Sequence, residues 1–139
     1  MKTVVIDSNI VLASLRSRDS VLRQKIMTTT QYRFTTVNFL FVEIFKYKEK
    51  IFKNAKATEE EQLQFLNNVI QKIQFQQEEI ISIHNFFEAY HLCKDIDKKD
   101  IPFVALSLEL DAPLWTRDII LKTHLISKGF TNFFDESTL

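Results

Sequence analysis

The feature that most constrains this chain is how it begins. Val4, Val5 and Ile6 make a brief β-branched run, cut by Asp7 and Ser8 before apolar residues resume at Ile10, Leu12, Ala13 and Leu15. The first part reads as a short buried strand of the kind found in parallel sheets. The second, over residues 8–16, has helical spacing. The alternation returns along the sequence. Strands are expected at residues 3–6, 33–36, 79–83 and 112–116, with a last short one at 131–134. Helices are expected at residues 8–16, 20–28, 36–52, 84–95, 100–110 and 119–127. One more follows Thr58, which with Glu61 spells a capping box; Leu63, Leu66, Val69, Ile70 and Ile73 then recur at helical spacing. Pro102 falls in a first helical turn, where proline is tolerated, and Gly129 sits where the last helix should stop.

Short strands alternating with longer helices imply βαβ units. The expected fold class is α/β: one domain over residues 1–139, with a short parallel sheet of four to five strands flanked by helices on both faces. Ligands of such folds bind beyond the carboxyl ends of the strands. Asp7 belongs there.

Several classes of function fall away on composition. Acidic and basic residues balance at 18 each, so the strongly basic character of many nucleic-acid-binding domains is missing. Bound divalent cations would change that local balance. The only glycine, Gly129, rules out glycine-rich phosphate loops. One cysteine, Cys93, and three scattered histidines, His84, His91 and His124, do not make a zinc cage. Cys93 reads as a small buried hydrophobe, and a lone cysteine suits a reducing cytoplasm. The first residues, MKTVVIDSN, turn polar too soon for a signal peptide. No apolar run approaches the roughly 20 residues of a membrane span. The expectation is a soluble cytoplasmic protein.

The carboxylates carry the chemistry. Asp7 follows the first strand; Asp118 follows a later one; Asp100, with Asp97 three residues before it, opens a helix. Each of these could simply cap a helix. Glu43 is different, being set among Phe, Leu, Val and Ile in mid-helix, where no cap is needed. Either it lies on an exposed stripe with Lys46, Tyr47 and Lys50, or it turns inward, where an unpaired carboxylate is costly. Carboxylates from several strand ends plus one inward glutamate would suit a hard divalent cation, which takes oxygen ligands and can support in-line phosphoryl displacement.

At these residues a resemblance becomes specific. VVIDSNIVLASL is similar to the opening of PIN domains, whose first strand ends in Asp, a small hydroxyl residue and Asn. DIDKKDIPFVALSLELDAPLWTRD is similar to their second half, where an Asp opens an apolar helix and a strand runs into Thr-x-Asp. ILKTHLISKGFTNFFD resembles their closing helix, turn and strand. The resemblance implies that Asp7, Glu43, Asp100 and Asp118 form an acidic quartet binding Mg²⁺ or Mn²⁺. Asp97 would be a ligand, an outer group or a loop residue, while Asn9 and Thr116 would orient carboxylates and water. It further implies metal-dependent endoribonuclease activity leaving 5′-phosphate and 3′-hydroxyl ends. Small PIN proteins of this length are often toxins of the VapC type, with an antitoxin partner and a tendency to dimerise. One departure stands out: Ile119, Ile120 and Leu121 occupy the place where many PIN domains carry a further Asp.

Other features divide between surface and site. Lys46, Lys48, Lys50, Lys53 and Lys56 end the Glu43 helix, either as a solvated helix end or as contacts to an RNA backbone, chiefly through Lys46 and Lys50. Arg117, beside Asp118, is a surface arginine or a phosphate contact. Most phenylalanines should be core, though Phe41, Phe45 and Phe52 could line a dimer or antitoxin groove. Two other classes compete. One is a PIN-like binding or assembly module with a weak metal site. The other is an aspartate-based phosphotransferase, disfavoured because Asn9 stands where a second Asp is needed.

Overall fold

The computed structural model describes residues 1–54 and 56–139. Four parallel strands form one sheet: β1 (Lys2–Ile6), β2 (Tyr32–Val37), β3 (Ile73–Gln76) and β4 (Leu114–Trp115). Their order is β3-β2-β1-β4. Among the described residues seven α-helices accompany them: α1 (Ser8–Ser14), α2 (Val21–Thr28), α3 (Phe39–Asn54), α4 (Glu59–Gln71), α5 (Ile83–Cys93), α6 (Ile101–Leu110) and α7 (Ile119–Ser127). Val4, Val5 and Ile6 are successive and all wholly buried, so both faces of β1 are covered. The α/β class and the parallel sheet are therefore as expected.

The strand order reverses at β1, which pairs with β2 on one side and β4 on the other. The crevice beyond such a reversal is where open α/β sheets bind ligands. Asp7 leaves β1 there, and Thr116 leaves β4 beside it.

Local chemistry explains most of the element ends. Ser20 accepts from the Arg23 N–H, Ser82 from the Asn85 N–H, and Thr58 with Glu61 makes the full capping box. Gly129 takes φ 94°, and the Phe130 N–H reaches back to the Leu125 carbonyl to close α7. Helix α6 buries Phe103, Val104, Ala105, Leu106 and Ser107 in succession, as a helix wrapped on all sides must.

Four expectations need correction. Ile73 does not extend the helix after Thr58: α4 is capped at Lys72, and Ile73 opens β3. The IQFQ alternation, with Ile73 buried and Gln74 exposed, was the period-two signal. Residues 79–83 are accordingly not a strand. Glu78–Ile80 is a 3₁₀ turn, and a Glu78 carboxylate oxygen accepts from the Phe39 N–H at 2.7 Å, at the start of α3. Residues 131–134 form a single bridge, Leu114 to Phe133, rather than a named strand. The expected helix over residues 36–52 begins at Phe39, because Thr36 and Val37 still belong to β2.

Arg23 holds the turn between α1 and α2. Buried to 7% exposure, it donates from Nη1 to the carbonyls of Ser14 (2.9 Å) and Ser17 (2.8 Å) and from Nη2 to that of Arg18. Its guanidinium lies 3.6 Å from the centroid of the Phe65 ring. Arg23→Met keeps the apolar stem but leaves three carbonyls without this donor. Denaturant melts should show a loss of about 2 kcal/mol with an unchanged slope. An unmoved midpoint would mean that Arg23 does not hold the turn.

Candidate functional site

Asp7 stands at the N-terminal cap position of α1, yet its side chain makes no cap bond. Its N–H instead continues the sheet by donating to the Trp115 carbonyl at 3.0 Å. Its carboxylate, on a residue 3% exposed, accepts from Thr116 Oγ1 at 2.9 Å and from Ser8 Oγ at 3.3 Å. The parallel register that sets Ile6 opposite Trp115 brings Asp7 level with Thr116.

Thr116 is the hub. Its hydroxyl donates to Asp7 and accepts from Asn9 Nδ2 (3.3 Å) and from the Asp118 N–H (3.1 Å). A hydroxyl has one proton. With Asp7 ionised that proton goes to Asp7, so Asn9 must present its NH₂ to Thr116 and turn Oδ1 away. That oxygen is buried without a hydrogen-bond partner.

The other carboxylates divide by what their oxygens do. Asp118 caps α7, with Oδ1 accepting from the Leu121 N–H at 3.0 Å. Asp97 accepts from the Lys99 N–H at 3.0 Å and has Lys99 Nζ at 3.4 Å. Asp100 opens α6 without a side-chain cap bond and is buried. Burial, and after it the charges of Asp7, Asp97 and Asp118, push its carboxyl up to about 8. Burial likewise raises Asp7, against the pull of Thr116.

Glu43 is 3% exposed, which removes the exposed-stripe alternative. It shares the inward side of α3 with the buried Leu40 and Ile44, while Val42 and Phe45 face out. Burial raises its carboxyl, opposed by Lys99 and Lys46 and reinforced by Asp97. Asp100 therefore feels three aspartates, and Glu43 joins the group through Asp97 and Lys99.

The basic residues fare unevenly. Lys46 is exposed, with Nζ 5.3 Å from the Tyr47 ring centroid. Lys50 lines a cleft that also includes Asn9. Arg117 is turned to Glu136, donating from Nε at 3.1 Å and Nη2 at 2.8 Å, so its guanidinium is already paired. Lys99 is the charged neighbour that sequence reasoning missed. It adjoins Asp100 in sequence, but nothing in its spacing marked it off from Lys98.

Among the described residues, no three carboxylate, histidine or cysteine side chains converge closely enough to hold a metal ion as they stand. The donor set nevertheless fits a hard cation in kind. It consists of carboxylates, the buried Asn9 Oδ1 lacks a partner, and Asp100 sits where positive charge is wanting.

A raised carboxyl in the folded state has a definite consequence for stability. Below about pH 4 both states are protonated and Asp100 has no effect. As pH rises toward 8 the unfolded chain ionises first, so the folded protein loses stability across that window. In EDTA at neutral pH, Asp100→Asn should raise the melting temperature by about 5 °C, and the gain should vanish near pH 4. A gain of equal size at both pH values would overturn this account.

The profile of the PIN domain family matches residues 5–130, a span that includes Asp7, Glu43, Asp97, Asp100 and Asp118. No curated protein matches the chain in sequence. Among solved structures, a similar chain belongs to VapBC2 from Rickettsia felis, crystallised bound to a DNA fragment from their promoter. It aligns with a TM-score of 0.59 at 15% identity, covering 87% of this chain and 92% of that one. At that identity the likeness concerns the fold. The chain belongs to the PIN domain family.

Proposed function

We propose that this chain is a Mg²⁺- or Mn²⁺-dependent endoribonuclease, one nuclease domain over residues 1–139, acting in the cytoplasm as the toxin of a toxin–antitoxin pair. The observation that carries the reading is the crowding around Asp100. Asp7, Glu43 and Asp100 are all buried, and burial with three neighbouring aspartates pushes Asp100 up to about 8, a crowding that a bound cation would relieve in place of a proton.

In this reading Asp7, Asp100 and Asp118 would hold the cation, and Glu43 and Asp97 would be further ligands or support those three. A bound divalent cation supplies charge neutralisation at the phosphate and lowers the pKa of water. The chain's own residues do the positioning. Thr116 fixes Asp7 through its single proton and ties Asn9 and the Asp118 backbone to the same oxygen. Asp118 spends one oxygen on α7 and keeps the other. Glu43, raised by burial, orients the attacking water. Water attacks phosphorus in line and gives up a proton to solvent as its P–O bond forms; the P–O3′ bond breaks, and the leaving 3′ oxygen takes up a proton from solvent. Lys46 and Lys50 draw in the RNA backbone. Arg117 contributes less, since Glu136 neutralises it.

An antitoxin partner is in keeping with the neighbour's being VapBC2 bound to a DNA fragment. Exposed apolar side chains are available for an antitoxin and for self-pairing as a homodimer: Phe45 is 65% exposed on α3, and Phe87 62% on α5. Phe41, by contrast, is stacked on Phe75 at 4.5 Å.

Cleavage of single-stranded and structured RNA tests the activity. Cutting should require Mn²⁺ or Mg²⁺, stop in EDTA, and fall at least about 100-fold in Asp7→Asn and in Asp118→Asn. Cutting that persists in EDTA or in both variants would defeat the assignment.

A second reading, a binding or assembly module with a weak metal site, draws on the absence of a converged trio among the described residues. Calorimetric titration with Mn²⁺ separates the two. The nuclease reading expects saturable binding that weakens at least about tenfold in Asp100→Asn. No heat at millimolar Mn²⁺ would favour the module.

A further inference from the structure

Beside the carboxylates lies a cleft of which the proposed chemistry uses only Asn9 and Lys50. It measures about 410 Å³ and is lined by Asn9, Leu12 and Arg16 from α1 and its end, and by Tyr47, Lys50 and Ile51 from α3. That volume is within the range of small-ligand sites. We infer that this cleft is a nucleotide subsite. It takes the base of an unpaired RNA residue next to the scissile phosphate against Tyr47, with the adjoining backbone phosphate held by Arg16 and Lys50. The inference rests on the ribonuclease reading and names where its substrate lies.

Three observations carry it. The first is continuity. Tyr47 and Lys50 follow Glu43 by four and seven residues on α3, which places them about 6 Å and 10 Å further along the helix axis. Asn9 belongs at once to the Thr116 hub and to the cleft wall. A strand whose phosphate reaches Asp7 therefore has this cleft as its next contact.

The second is unspent positive charge. Arg18 is paired with Glu61, Arg117 with Glu136, and Arg23 with backbone carbonyls. Among the described residues, neither Arg16 nor Lys50 is in an ion pair, and both are exposed. An arginine and a lysine on facing walls of one cleft, beside a group of carboxylates, suit a ligand that is anionic at its backbone.

The third is the floor. Leu12, Tyr47 and Ile51 bring an aromatic ring and two aliphatic side chains to the lining, a surface suited to a flat base rather than to an ion. Lys46 and Lys99 lie 5.3 and 5.7 Å from the Tyr47 centroid. Lys46 is exposed and in no ion pair among the described residues, so its ammonium group can swing to the phosphate of a bound base, while Lys99 is paired with Asp97. A base-paired residue could not unstack into the cleft, so the subsite selects single-stranded RNA.

The test is fluorescence anisotropy of a short labelled single-stranded oligoribonucleotide, in EDTA so that binding is read without cleavage. Tyr47→Ala should weaken binding about tenfold, whereas Tyr47→Phe, which keeps the ring, should bind as the unaltered protein does. Arg16→Gln with Lys50→Gln should flatten the salt dependence by about 1.4 in log–log slope, the share of two phosphate contacts on a single strand. Thermal melts run alongside, and a Tyr47→Leu variant replaces Tyr47→Ala should the latter unfold. Affinity unchanged in the Tyr47 and Arg16/Lys50 variants would overturn the subsite, and metal-dependent cleavage would then leave the nuclease reading standing. RNA that binds without being cut, yet responds to these variants as described, would support the subsite and defeat the nuclease reading. An apolar peptide that occupies the cleft without displacing RNA would also overturn it.

Discussion

The site depends on one short piece of sheet. β4 pairs with β1 through only two residues, Val5 with Leu114 and Ile6 with Trp115. The Asp7 N–H extends that ladder by one bond, to the Trp115 carbonyl. Because register is fixed here, Asp7 and Thr116 emerge side by side, and the hydroxyl of one has a single acceptor within reach on the other. Everything downstream hangs on that proton. It fixes Asp7, it fixes which way the Asn9 amide turns, and it leaves the same oxygen free to accept from the Asp118 backbone. Trp115 and Phe34, both nearly inaccessible and 5.4 Å apart between ring centroids, anchor the strands from below.

Four aspartates near helix starts show how one residue type serves two ends. Asp118 and Asp97 accept backbone N–H bonds, as aspartates at such positions commonly do. Asp7 and Asp100 make no side-chain cap bond, although both stand at cap positions. Their helices begin without that help, and Asp100 opposes folding at neutral pH. Local chemistry is frustrated at two adjacent positions in a chain that elsewhere caps its helices well, at Ser20, Thr58 and Ser82. Such conflicts are expected where a fold serves a ligand rather than its own stability.

This distinction marks the limit of what the sequence could tell. Strand β1, the capping box at Thr58, the helix end at Gly129 and the acidic strand ends were all legible, because each has a short-range signature. The boundary at Ile73 was not. Ile73 fits the helical stripe of Leu66, Val69 and Ile70 as well as it fits the alternation of IQFQ, and only the pairing of β3 with β2 decides between them. Glu43 was recognisable as anomalous, but its burial depends on how α3 rotates against α1 and the sheet. Whether an aspartate caps a helix or stands free is likewise set by tertiary placement, through Thr116, a partner 109 residues away from Asp7. Arg117 looked available beside Asp118, and only the fold brings Glu136 to it.

The neutral charge of the chain acquires a physical meaning from this arrangement. With 18 acidic and 18 basic residues there is no net charge to steer a polyanion from a distance. What the fold does instead is separate charge locally. The aspartates and Glu43 gather beyond β1 and β4, while Arg16 and Lys50 stay unpaired on the adjoining walls of α1 and α3. A nucleic acid approaching the carboxylates alone would be repelled, and one approaching the basic walls alone would gain only weak, salt-sensitive contacts. The basic walls would hold a nucleic acid without metal, and that contact would tighten when cations neutralise the aspartates. Binding would then be coupled to metal loading by simple electrostatics, without any change of shape, because each charge that settles among the carboxylates removes a repulsion from the phosphate next to it.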